Sequence, residues 1–198
     1  MSAEQDRLVR QQISGLLYGG DPVNAEALCL EHLQKRPRDH EAMAMLAHIY
    51  LTTGRFRDAE MVLSRAIGLD SKRPDYQALM AEILTTVGRH REALGRYDKA
   101  LKISSDFEGA IAGKAETYLR MGKPEKTIKV VESSPLSSNQ SPLLAIVHAR
   151  GLIRQGDPEQ AESIARKHLP GDKLNNEQRR SLWHVAALAA EKRGDLDL

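Results

Sequence analysis

Three arginines are the side chains of this 198-residue chain best suited to hold a ligand. Arg120, Arg150 and Arg154 fall on segments that read as neighbouring helices, with Ile146 and Val147 beside them and Glu116 and His184 in register. A guanidinium presents planar, paired N–H donors that match a carboxylate, so such a cluster recognises acidic groups. A second set, Glu41, His48, Asp75, Glu82 and Thr85, occupies the equivalent positions earlier in the chain and is mostly acidic. Together they predict a bipolar groove that orients a peptide by its charges, with the apolar residues adding affinity.

Reaction chemistry is not visible in these residues. The lone cysteine, Cys29, falls in an apolar stripe and reads as a small buried hydrophobe. The seven histidines do not cluster. His40 and His48 are too far apart for the i, i+4 pair of a helical metal site, and His148 with His184 has no third ligand. No Gly-rich phosphate loop, nucleophile elbow or zinc-spaced cysteine set occurs. No catalytic residue, metal site or cofactor is therefore expected. A formal charge of +2 and the absence of basic runs interleaved with aromatics argue against nucleic acid. No apolar run spans a membrane. The first residues lack a signal-peptide profile, so the expected setting is cytoplasmic.

What must position these groups is a repeat. Gly20, Gly54, Gly88, Gly122 and Gly156 follow one another at intervals of 34. Ala25, Ala59, Ala93, Thr127 and Ala161 come five residues after them, and Ala47, Ala81, Ala115 and Ala149 come seven before the last four. A strict period of this length marks a stack of one supersecondary unit. The unit reads as two amphipathic helices, A and B, around a glycine that ends the first. Units start near Asp6, His40, Pro74, Glu108 and Pro142, with a half unit from Asn176. The small residues lie where helices cross closely. Pro22, Pro124 and Pro158 fit the first turn of helix B, and Asp21 and Asp157 cap it. Met43, Leu46, Tyr50 and Leu51 supply an A-helix stripe, and Val62, Leu63, Ala66, Ile67 and Leu69 a B-helix stripe. No period-two alternation calls for a strand.

The pattern resembles the tetratricopeptide repeat family. Leu46 and Ala47, Tyr50 and Tyr118, Ala59 and Ala93, Tyr97, Ala66 and Ala100, Pro37 and Trp183 match its signature positions. The resemblance implies an all-α, right-handed superhelical solenoid of antiparallel helix pairs over residues 1–198. It implies a non-catalytic scaffold that binds a protein or peptide partner in its concave groove. It excludes the subtype that clamps a chaperone's C-terminal carboxylate, because Ala44, His48, Leu79, Gly109 and Gly113 hold the clamp positions.

Departures from the pattern carry expectations of their own. His32 and His168 replace the second alanine, so their B helices should end loosely. Pro135 should stop another B helix early, leaving a weak segment from Ser133 to Ser141. The chain ends on Gly194-Asp195-Leu196-Asp197-Leu198, which reads as the turn into a further helix B, so the sequence is expected to be a fragment of a longer protein. Trp183, Ala186, Ala187 and Ala190 should then lie on an uncovered face. That face is expected to pair with a copy of itself, as a homodimer, or to fold back near Ala161 to Ala165. The stretch from Leu174 to Asp197 is also similar to the last repeat of bacterial proteins in which such an array precedes a sulfotransferase domain. That similarity implies an alternative role, as the accessory domain of an enzyme.

Overall fold

The computed structural model describes residues 3–170 and 174–194. These residues form eleven helices and no strand: α1 (Ala3–Tyr18), α2 (Pro22–Lys35), α3 (His40–Thr52), α4 (Phe56–Leu69), α5 (Pro74–Thr86), α6 (His90–Ile103), α7 (Glu108–Arg120), α8 (Pro124–Glu132), α9 (Pro142–Gln155), α10 (Pro158–His168) and α11 (Asn176–Arg193). The chain divides into two compact units, Met1–Arg96 and Tyr97–Leu198, and the division falls within α6.

Each pair turns at its glycine. Gly20, Gly54, Gly88, Gly122 and Gly156 all have φ between +69° and +99°, a region costly for any residue with a Cβ. The amide after each glycine reaches back five residues, as Arg55 N–H does to the Tyr50 carbonyl at 2.8 Å and Asp157 N–H to Leu152 at 2.9 Å. These bonds satisfy carbonyls that the helix end would otherwise leave open. Asp21 and Asp157 cap the following helices through the Asn24 and Gln160 amides.

Close crossings use the small residues. Ala47, Ala81, Ala115 and Ala149 on the A helices, and Ala25, Ala59, Ala93 and Ala161 on the B helices, are fully buried. Thr127 stands in the B-helix series because its hydroxyl donates to the Ala115 carbonyl at 3.0 Å. Cys29 is fully buried and its Sγ donates to the Ala42 carbonyl. Burial pushes its thiol up to about 12, which removes it as a nucleophile.

Of the two histidines expected to loosen helix ends, His32 does the opposite, whereas α10 ends at His168. His32 is buried in the alanine position of α2, and its Nε2 donates to the Asp39 carboxylate at 2.8 Å. The helix runs on to Lys35. In the second unit, His168 closes α10 and its Nε2 donates to the Ser138 carbonyl at 2.7 Å. An imidazole in place of a methyl reaches across to a neighbouring loop in both cases.

The short helix is as expected: α8 has nine residues and stops before Pro135. The segment that follows is held at several points. Leu136 packs against Ile111, Val131, Leu144 and Val147, Ser141 caps α9 and donates to Glu108, and Ser138 meets both His168 and His148. Burial lowers the pKa of His148 below its ordinary value, against a smaller opposing pull from Glu132, whose carboxylate lies 3.8 Å from Nε2. The unfolded chain therefore takes up the proton first as pH falls through about 6.5. Stability of the second unit should fall as pH drops from 7 towards the lower folded value, and be indifferent to His148 above that window. His148→Leu restores the residue usual at this repeat position. In urea titrations at pH 7.5 and 5.5 it should flatten the dependence, and an unchanged pH slope would count against this assignment.

At the end of the second unit, Leu182, Val185, Ala186 and Ala189 of α11 pack on Ala149, Leu152, Ala161 and Ala165 of α9 and α10. Trp183 and Ala187 stay exposed, whereas Ala186 and Ala190 are buried. The uncovered face is thus narrower than the sequence suggested, because α9 and α10 already cover two of its four residues. Gly194 ends α11 with φ +85°. The further helix expected from residues 195–198 lies outside the described residues.

Candidate functional site: two A-helix faces

In the first unit α1, α3 and α5 are A helices, and a chain of ion pairs runs from the middle of α1 across the N-terminal ends of α3 and α5. Arg10 reaches Asp39 at 2.6 Å and Glu41 at 3.0 Å. Arg73 reaches Glu41 at 3.0 Å and grips Asp75 with two N–H groups, at 3.0 and 2.8 Å. Asp39 also caps α3 through the Glu41 and Ala42 amides. Burial raises its carboxyl, but the Ala42 amide, His32 and Arg10 outweigh this and hold it below the ordinary carboxylate value. A cleft of about 740 Å³ opens along this edge, lined by Asp6, Arg10, Arg36, Asp39 and Glu41 among others.

Two of the acids expected to face a ligand, Glu41 and Asp75, are therefore already matched by arginines of their own unit. His48 lies half-buried on α3. Glu82 is exposed on α5 and has no ion pair among the described residues. Thr85 is buried. The links that Arg10 and Arg73 make to Glu41 are not visible in the sequence, because each joins residues about 30 apart on different helices.

The same blind spot hid a repeated clamp at the start of the B helices. Arg55 bridges Glu26 at 2.6 Å and Asp58 at 2.8 Å, and Arg89 bridges Glu60 at 2.8 Å and Glu92 at 2.7 Å. The signal was present as arginine directly after Gly54 and Gly88, with an acid three residues on.

In the second unit α7, α9 and α11 are the A helices, with α9 packed against both others. Glu116 of α7 sits between two guanidinium groups, accepting from Arg150 of α9 at 2.7 Å and lying 3.5 Å from Arg120. Arg154, one turn beyond Arg150, is exposed and has no carboxylate partner among the described residues. Leu143, Ile146, Arg150 and Arg154 follow helical spacing and form one stripe of α9. Leu143 is 38% exposed and Ile146 half-buried, while Val147 turns into the core. His184 is exposed on α11, and His148 is buried on α9. Here the structure brings together Glu116, Arg120 and Arg150, with Arg154 extending the cationic line. The pairs are solvent-exposed and so contribute little to stability. In them one carboxylate is held by two guanidinium groups on neighbouring helices.

Tetratricopeptide repeat profiles match residues 16–83 and 142–167, the helix pairs whose glycines and alanines are described above. The chain belongs to the tetratricopeptide repeat family. Solved structures agree on the fold. The tetratricopeptide repeat protein TTC0263 of Thermus thermophilus superposes with a TM-score of 0.79 at 15% identity, covering 92% of this chain and 99% of that one. PilW, a type IV pilus biogenesis factor, gives 0.78 at 18% identity, covering 98% and 89%. The hetero-tetramer Cut9–Hcn1 of the APC/C gives 0.79 at 15% identity, covering 93% of this chain and 36% of that one. Curated protein sequences give no match. Among the described residues of this tetratricopeptide repeat chain, no three His, Cys, Asp or Glu side chains are grouped as a metal site would need, and no helix is long and apolar enough to cross a membrane.

Proposed function

We propose that this chain is a non-catalytic interaction scaffold, and that the α7–α9 face of its second unit holds an acidic segment of a protein partner. The observation that carries this reading is Glu116, which occupies two guanidinium groups as a ligand carboxylate would, beside an unpaired Arg154 and an exposed Leu143. An extended segment with an apolar residue for Leu143 and Ile146, followed by two acids for Arg150 and Arg154, matches the stripe in both order and charge. The fold supports a scaffold role, since stacked helix pairs present broad surfaces. One of the similar solved chains belongs to an assembly, the hetero-tetramer Cut9–Hcn1 of the APC/C.

The test uses a fluorescein-labelled peptide with a leucine followed by glutamates, and its lysine counterpart as control. The acidic peptide should bind and the basic one should not. Arg150→Ala with Arg154→Ala should weaken binding about tenfold, the loss of one to two charge-assisted contacts, and flatten its salt dependence. Glu116→Gln should tighten it, because an internal competitor is removed. Equal affinity of the double variant and the parent chain would sink the proposal.

A further inference from the structure

The solvent side of α11 carries a single stripe. Trp183, the only tryptophan of the chain, is 54% exposed. Ala187 lies one turn on, and Asn176, Arg180, Glu191 and Gly194 continue the line at helical spacing, all of them exposed. The opposite side, Leu182, Val185, Ala186 and Ala189, is committed to α9 and α10. An indole left half in water beside a small alanine, with charged residues on either side, is an unfilled contact.

The stripe is self-complementary in one direction only. Lay a second α11 antiparallel across it, with the two-fold axis near Val185. Trp183 then meets Ala187 of the other copy, a large side chain over a small one. Arg180 comes beside Glu191 of the other copy. Each contact occurs twice, as a two-fold interface requires. A parallel alignment would set Trp183 on Trp183, Arg180 on Arg180 and Glu191 on Glu191, with like charges facing.

We propose that a second copy of this chain covers the face, α11 against α11 in the antiparallel sense. One helix on one helix buries less than the roughly 1,200 Å² of a stable interface. The dimer is therefore weak and concentration-dependent, with a dissociation constant on the order of micromolar to tens of micromolar.

Sedimentation equilibrium and tryptophan emission, followed together from about 1 µM to several hundred µM, read this directly because the only indole is at the interface. The dimer fraction should rise with concentration, and the emission should shift to the blue in step with it. Trp183→Ala should abolish dimerisation while the helical circular dichroism is kept. Arg180→Glu should weaken it about tenfold, and Arg180→Glu combined with Glu191→Arg should restore it. A chain that stays monomeric with water-exposed emission overturns the proposal. So does a monomer whose emission is blue-shifted at every concentration, which would mean that its own chain covers Trp183. A dimer indifferent to Trp183→Ala overturns it by placing the contact elsewhere, and a double variant that fails to recover overturns the antiparallel pairing.

Discussion

Asp39→Ala should cost the first unit about 2–4 kcal/mol, the sum expected for losing a helix cap and leaving charged partners of a largely buried carboxylate unmatched. One oxygen accepts from the Glu41 and Ala42 amides that open α3, and the other from His32 of α2 and Arg10 of α1. A single carboxylate thus ties three helices. Its folded pKa is depressed, so the charged form stabilises fully above the ordinary carboxylate value near 3.9. That contribution is lost as pH falls through the lower folded value. The difference between Asp39→Ala and the parent chain should therefore be constant from pH 5 to 8 and shrink below about pH 4. Asp39→Asn keeps an acceptor for the amides and should fall between the two. Urea unfolding followed by circular dichroism measures all three, and an effect below about 0.5 kcal/mol, the range of ordinary surface changes, would show that the carboxylate does not join the helices energetically.

The second large effect is expected at Gly113→Ala, and its sign is not the one helix propensity gives. Glycine within a helix is about 1 kcal/mol worse than alanine, so at an open position the change would stabilise. Here a Cβ would stand 2.3–2.6 Å from the Tyr97 ring and hydroxyl. Tyr97 is buried, so the ring cannot swing into solvent without giving up its own packing. Overpacking of this kind costs about 1–3 kcal/mol, which exceeds the propensity gain. Gly113→Ala should destabilise the second unit, and in a Tyr97→Leu background the same substitution should cost little or become favourable. Additive effects of the two changes in unfolding experiments would refute a direct clash.

Both predictions rest on contacts that the 34-residue period does not display. The period itself placed the helix pairs, because it records what every unit needs locally. A positive-φ residue must end helix A, and only glycine meets that need without strain, so Gly20 to Gly156 were legible as turns. Close crossings need small side chains, so Ala47, Ala81, Ala115 and Ala149 were legible as core. The early stop of α8 followed from Pro135, which cannot continue a helix.

Partners across helices were decided by the fold alone. Glu41 looked like a free acid, yet Arg10 of α1 and Arg73 at the start of α5 neutralise it from either side. His32 looked like a misfit in an alanine position until Asp39 came within 2.8 Å. Trp183 and Ala186 share one helical pattern, but α9 and α10 cover the second and leave the first in water. Local backbone conformation and the small-residue pattern are set by residue type and spacing, so the amino-acid sequence determines them directly. Whether a charge is already paired, or an apolar side chain already covered, depends on side chains some thirty residues away meeting in space. Only the packed helices decide that.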